Sequence, residues 1–528
     1  MHFYTRLGLL VLLCLVSMGL SANRCHARMS VNLALDDPAY ALLDKVVRSQ
    51  LTLTNALTIK PITRLYAARL IAEALAQRQQ EMETGRLRSP FLDEALDYLT
   101  ERFKRELQQI GFLYAPRRLH AFYLAPLTDI KLDLVYAHNQ FLHRDSQRLT
   151  PNLQGVFGLQ EGFVPGQDVT LRLRSVSWAT LSDYAALYLE PELIVRSDPL
   201  LGDTLSAGIH KGHIKGGYAN VEVAFGRDTL WWGPAAQGDL ALSNNAPPLD
   251  AIKVSTPESF RLPGPYSDLG AWQFTYFVAR LEAERDFPHA VLSGIRVAFQ
   301  PASALTFGYT NTFMAYGQGG VELRADEYLQ KLFVPTFATT GQSANSLIAY
   351  DATLSVPLGG HVPFIEGLQV YWQRGHDNHQ KVQGLLGGGN IIGGVVEGGR
   401  WDVRVEFTET RDLGLPWYTH STYSSGYAFK RFILGHPLGG SAQGLYGRAQ
   451  YYLSPTIWLA ADGRREQYDG ETQGSEITQQ RYGFEASYQL PWGPRLVTLW
   501  GRFDYATLEE SPSTTRAFNL RLATRWHF

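Results

Sequence analysis

From about residue 117 to its last residue the chain alternates apolar and polar side chains with a period of two, which restricts it to strands with two chemically different faces. The C-terminal segment shows the pattern most sharply. Phe518, Leu520, Leu522, Thr524, Trp526 and Phe528 fall on one face, and Asn519, Arg521, Arg525 and His527 on the other. Trp401, Val403, Val405 and Phe407 alternate with Asp402, Arg404 and Glu406. Tyr482, Phe484, Ala486, Tyr488 and Leu490 do so with Arg481, Gly483, Glu485, Ser487 and Gln489, as do Val497, Leu499, Gly501, Phe503 and Tyr505 with Thr498, Trp500, Arg502 and Asp504. Similar stretches lie near 128–137, 168–178, 184–195, 217–225, 272–284, 290–299, 304–314, 347–356 and 367–373. A soluble sandwich could supply one or two of these. A dozen without intervening helices predict a closed barrel whose apolar side faces lipid.

Connection lengths give an independent argument. Tight links at 491–495, 454–456, 397–400 and 300–303 alternate with long ones at 463–479, 409–443, 374–390 and 316–346. Short periplasmic turns and long outer loops are the rule for outer-membrane barrels. Carried upstream, the parity puts 227–249 on the outer side, given a strand over 250–261. The pattern predicts 16 to 20 strands, an even number.

The N-terminal part differs. Residues 1–27 read as a secretory signal, with Arg6 ahead of an apolar run from Leu7 to Leu20 and cleavage after Ala22 or Ala27. Of the two cysteines, Cys14 lies in that signal and Cys25 goes with the later cleavage, so neither a disulfide framework nor a cysteine metal site is expected. Between about 36 and 112 the period becomes helical. Asp37-Pro38 precedes Leu42, Val46 and Val47, and Pro61 precedes Leu65, Ala68, Ile71, Ala72 and Leu75. Ser89-Pro90 makes an N-cap and first-turn proline ahead of Leu92, Leu96, Leu99, Phe103, Leu107 and Ile110. The expected organisation is a signal over 1–27, a periplasmic helical bundle or plug over 28–115, and a transmembrane barrel over 116–528.

Composition narrows the function. A formal net charge of −2 argues against nucleic acid, which calls for a basic face. Aromatic residues at 12%, with 27 Tyr and 49 Gly, suit barrel girdles and turns, and the mean hydropathy of −0.16 fits a barrel with a polar lumen. An enzyme needs a nucleophile or activated water with a base in reach, and the chain has neither His-Glu-x-x-His nor Gly-x-Ser-x-Gly. His210 with His213, and His376 with His379, are weak metal signals and read as solvated histidines. Leu385-Leu-Gly-Gly-Gly-Asn390 lacks the Lys-Ser/Thr of a phosphate loop. No cofactor is expected. A passive porin would need charged rows around an open lumen. Arg172, Arg174, Arg404, Glu406, Arg502 and Asp504 supply either such rows or a network that closes it.

One segment stands apart: Phe225-Gly-Arg-Asp-Thr-Leu-Trp-Trp-Gly-Pro234, leading to Leu242-Ser-Asn-Asn-Ala-Pro-Pro248. Arg227, Asp228, Trp231, Trp232, Ser243, Asn244 and Asn245 allow two readings. Indole faces stack on the apolar faces of sugars while amides and charges bond hydroxyls, a ligand site. Alternatively, Gly-Pro and Asn make turns and the tryptophans wedge an inward-folded loop against the wall. This segment resembles the signature of the Wzi capsule-assembly family, in Gly226-Arg227, Trp231-Trp232-Gly233-Pro234 and Ser243-Asn244-Asn245-Ala246-x-Pro248. Gly294-Ile-Arg-Val-Ala-Phe-Gln-Pro301 and Leu434-Gly-His-Pro-Leu-Gly439 are also similar to family stretches, though Pro247 stands where a basic residue is common. The resemblance implies an all-β membrane protein: an outer-membrane antiparallel β-barrel of about eighteen strands with a small N-terminal helical bundle. It also implies a non-catalytic, lectin-like role in holding capsular or similar surface polysaccharide. Outer-membrane lipid and polysaccharide-export machinery would be its other partners.

Overall fold

A computed structural model describes residues 29–528 apart from 55–56, 86–87, 116–121, 139–160, 167, 197–204, 334–343, 363, 378–387, 412–416, 470–475, 494 and 511. The expected signal segment lies outside the described residues. Eighteen antiparallel strands close into one barrel. In chain order they are β1 Tyr123–His138, β2 Asp168–Ser182, β3 Ala185–Arg196, β4 Leu205–Tyr218, β5 Val221–Asp228 and β6 Leu249–Ser255. There follow β7 Ala271–Arg280, β8 Val291–Ala302, β9 Leu305–Ala315, β10 Asn345–Val362, β11 Ile365–Asp377 and β12 Gly389–Glu397. The last are β13 Trp401–Glu409, β14 Ala442–Ser454, β15 Ile457–Asp469, β16 Glu476–Trp492, β17 Arg495–Glu510 and β18 Ser513–His527. Each strand pairs with its neighbours in sequence, and β18 closes on β1 from Asp129↔His527 to His138↔Phe518.

Two expected boundaries move. The stretch 217–225 is not one strand: β4 ends at Tyr218 and β5 begins at Val221, with Ala219 at φ +51° in the turn. The alternation runs through this turn without a glycine or proline to interrupt it. The expected long loop at 463–479 is mostly ladder, because β15 reaches Asp469 and β16 starts at Glu476. Arg464, Arg465, Glu466 and Gln467 are polar on both faces, so the period carries no signal there.

The barrel exterior is apolar. Leu187, Leu189, Val403, Val405, Leu499, Phe503, Leu520 and Leu522 all point outward and exposed. Tyr184, Tyr218, Phe364 and Trp492 stand exposed at or beside the short turns, as an interfacial aromatic girdle does. An apolar outward face of this kind is the pattern of a membrane-spanning barrel.

The N-terminal segment folds as α1 Ala39–Arg48, α2 Arg64–Glu83, α3 Pro90–Arg102 and α4 Lys104–Gln109. Ser89 caps α3 by accepting the Phe91 N–H, with Pro90 in the first turn, and Thr63, two residues after Pro61, caps α2 by accepting the Tyr66 N–H. The third expected helix breaks at Phe103 into α3 and α4. The apolar stripe read from the sequence is the bundle's core: Val46, Ala68, Ile71, Leu96, Leu99 and Leu107 are buried together. The bundle is tied to the short-turn end of the wall. Lys45 Nζ donates to Gly398 O at 2.8 Å, Arg48 pairs with Glu397 at 2.7 Å, and Tyr98 donates to Gln489 at 2.7 Å. Burial alone would raise the Asp37 carboxyl, but Arg102 and Arg525 beside it hold it below the usual carboxylate range.

Candidate functional site

The signature loop, 229–248, joins β5 to β6 at the long-loop end and then turns down into the lumen. Trp231 and Trp232 form a two-residue ladder with Lys60 and Ile59, so a loop from one end meets the N-terminal segment inside the barrel. Gly233 N–H donates to Thr58 O at 2.8 Å and Trp232 N–H to Leu242 O at 3.1 Å. Gly233 has φ +143°, and a Cβ there would sit 2.0 Å from Asp239 Oδ1, so this crossing requires glycine.

Wall residues accept the loop's backbone donors. Glu406 receives Ala236 N–H at 2.8 Å and the Tyr371 hydroxyl at 2.6 Å, and Gln373 receives Leu240 N–H at 2.8 Å. A second loop, 410–441, completes the plug: Ser243 donates to Gly435 O at 2.7 Å, and Asn245 Nδ2 to Ile433 O at 2.8 Å. Around these bonds lies the molecule's largest apolar core, including Trp232, Leu240, Leu242, Phe277, Trp417 and Tyr427. Trp232 is fully buried, edge-on to Phe277 at 5.2 Å.

Two titratable loop groups sit inside this plug. Burial pushes the Asp239 carboxyl well above its ordinary value; Arg296 opposes this, while Asp351 and Glu406 add to it. Burial, with Arg464 nearby, lowers the His436 imidazole to about 3, and the neutral ring accepts Leu438 N–H at Nδ1.

The seven expected site residues therefore separate. Trp232, Ser243 and Asn245 are buried and bonded within the plug, and Asn244 is buried beside them with its Oδ1 unpartnered. Asp228 is turned inward and accepts from Asn32 at 2.7 Å. Arg227 points outward from β5 and forms a bidentate pair with Asp250 at 2.8 and 2.7 Å. Trp231 lines the open space inside the lumen. It borders a cavity of about 350 Å³ enclosed by α1, the loop edge 233–237 and the wall strands β10, β11, β13 and β14. Sequence reasoning missed this cavity because its lining comes from seven separate stretches of chain.

Most of the charged rows pair with one another rather than lining an open channel, while Arg404 faces the cavity. Arg174 pairs with Glu190 at 3.1 Å, Arg521 with Asp133 at 2.7 Å, Arg502 with Asp462 at 2.8 Å, and Arg172 with Glu192. His210 and His213 are buried wall residues, not solvated ones. A register shift beside Pro191 brings His210 inward to Glu161 at 2.8 Å, and His213 stacks on Tyr188. Among the described residues no group of three or more His, Cys, Asp or Glu side chains could hold a metal.

An eighteen-strand barrel with an apolar belt and a lumen filled by helices and loops defines a plugged membrane β-barrel. The chain belongs to the capsule assembly protein Wzi family, whose profile matches residues 136–515. Among solved structures it is similar to Wzi of Escherichia coli, described as an outer membrane protein involved in group 1 capsule assembly and a carbohydrate-binding β-barrel. The two share 18% identity over 94% of this chain and 99% of that one, with a TM-score of 0.65. OprD of Pseudomonas aeruginosa aligns at 10% identity over 76% of this chain and 94% of its own, with a TM-score of only 0.43. No curated protein matches by sequence.

Proposed function

We propose that this protein is a non-catalytic outer-membrane barrel that binds capsular or similar long-chain polysaccharide and helps attach it to the cell surface. The observation that carries this reading is family membership over residues 136–515. The fold's likeness to a carbohydrate-binding capsule-assembly barrel supports it. By the short-turn rule the helical segment 28–115 sits at the periplasmic mouth and the long loops face outward. The filled lumen weighs against a passive porin. Of the seven signature residues, Trp231 is the one offered as a sugar contact, and the others support it by fixing the loop. Lipid surrounds the belt, and export machinery is the partner class expected at the periplasmic face.

Deleting the gene is expected to leave polymer synthesis intact and shed polymer into the medium, measured as the cell-bound against released fraction. Disappearance of polymer altogether would assign the protein to synthesis or export instead.

A further inference from the structure

We infer that the cavity beside Trp231 is a binding site for an acidic sugar unit. This rests on the polysaccharide-binding reading above and places that contact inside the lumen, below the loop plug, rather than on the outer loops. Asp402 and Tyr452 lie close to the short turns at 398–400 and 455–456, and Tyr446 lies higher on the wall, so the cavity runs upward from the short-turn rim. Its volume, about 350 Å³, falls in the range of roughly 300–1,000 Å³ for small-molecule sites.

Three features of the lining point to a polyhydroxylated anion. Trp231 presents an indole, with Lys60 Nζ 5.9 Å from the ring centroid, so a stacking surface and a cation stand side by side. Thr58 and Thr353, 6% and 3% exposed, both line the cavity and carry hydroxyls with no protein partner. Buried hydroxyls are normally bonded, so these two are available to a ligand's hydroxyls or to water. Four cations, Arg48, Lys60, Arg404 and Arg448, face the space against two carboxylates, Asp44 and Asp402. Glu397 and Glu485, which neutralise Arg48 and Arg448 at 2.7 Å each, are not part of the lining, so the positive ends of those pairs face the cavity.

Arg404 is the residue on which the assignment turns. It points inward from β13 directly opposite Arg448 on β14; its hydrogen-bond neighbour is the Tyr371 hydroxyl, and no carboxylate pairs with it among the described residues. Arg448 is engaged by Glu485, and the Tyr371 hydroxyl occupies only one site on Arg404, so its planar fork keeps N–H donors free for an anion in the cavity. A sugar carboxylate would accept its planar fork in bidentate geometry while the ring stacks on Trp231 and its hydroxyls reach Thr58 and Thr353.

The test uses the purified full chain in detergent, titrated separately with glucuronate, glucose and the cell's own isolated polysaccharide, and read by calorimetry and tryptophan emission. Heat-modifiable migration confirms that each variant is folded. Glucuronate is expected to bind about tenfold or more tighter than glucose, and Arg404→Gln to lose about tenfold or more of that affinity, the scale of one charge-assisted hydrogen bond. Trp231→Phe is expected to weaken binding and remove the emission change, while Lys104→Gln, on the exposed bundle surface, leaves both unchanged. If Arg404→Gln does not assemble, the near-isosteric Thr353→Val tests the same site and is expected to weaken glucuronate binding. Equal binding of glucose, or glucuronate binding untouched by the assembled lining variants, overturns the acidic-sugar site. Polysaccharide bound without any glucuronate binding also overturns it while leaving the proposed function standing. If wild-type protein binds no polysaccharide at all, both readings fall.

Discussion

The two sides of the lumen solve the same problem by opposite chemistry. Along β1 to β4 and β14 to β18 the inward positions carry charges that pair between strands, as Arg174 does with Glu190 on the next strand and Arg502 with Asp462 across β16 at Gly483. Along β7 to β12 the inward positions include Phe277, Leu292, Met314, Leu347, Tyr371 and Ile391, and these pack against the infolded loops. One side stays polar and is closed by salt bridges. The other is filled as a soluble protein core is, with an exposed apolar belt on the far face of the same strands. An outer-membrane barrel can thus hold a globular interior on one flank, and a signature loop there is read best as core.

The sharpest way to break that comparison is to treat the two neighbouring tryptophans differently. Trp232→Ala empties a fully buried site in the core and is expected to cost about 3–5 kcal/mol, seen as a lower temperature for losing the compact band on heated gels. Trp231→Ala, whose ring faces the cavity, is expected to cost less than about 1.5 kcal/mol, leaving that temperature nearly unchanged, while reducing polysaccharide retention. Equal losses of stability would remove the distinction.

Within the apolar side, Arg296 on β8 and Asp351 on β10 form a wholly buried pair at 2.8 Å. Arg296→Ala should cost about 3–5 kcal/mol, because it strands the Asp351 charge beside the core. The double replacement Arg296→Leu with Asp351→Leu should recover much of that loss, read by the same heated-gel midpoint. A double variant as damaged as the single one would show that specific hydrogen bonds, not an unpaired charge, set the cost.

A smaller effect separates the sides by pH. Asp239, inside the core, has its carboxyl raised well above 3.8 by burial. Its proton is kept on folding, so its favourable contribution is complete below about that pH and is lost as pH rises through the higher folded value. Asp239→Asn should therefore gain on wild type as pH rises, measured as a widening gap in unfolding midpoint. A constant gap would contradict the buried neutral acid.

How much of this was written in the sequence follows the same division. The charged flank is legible because each inward charge sits between outward apolar residues, as Arg404 does between Val403 and Val405. The bundle core is legible because its helices are amphipathic, and Ser89-Pro90 marks a start that the structure keeps. The apolar flank is harder to read. In β7 both faces carry large apolar groups, Trp272, Phe274, Tyr276 and Phe277 among them, so the period blurs. Loops 229–248 and 410–441 carry no period at all, and their burial is fixed by backbone bonds to Glu406, Gln373 and each other. The wedge reading of the signature segment matches the placement of Trp232, Ser243 and Asn245. Arg227 gave no hint that it would face outward toward Asp250, because its orientation depends on the inward phase of Glu222 and Ala224 in the same strand.

Single-channel recording in planar bilayers tests the filled lumen most directly. The account predicts that wild-type protein inserts without steady conductance, and that replacing 229–248 with a short linker opens a measurable pore. Steady porin-like conductance from the intact chain would contradict it.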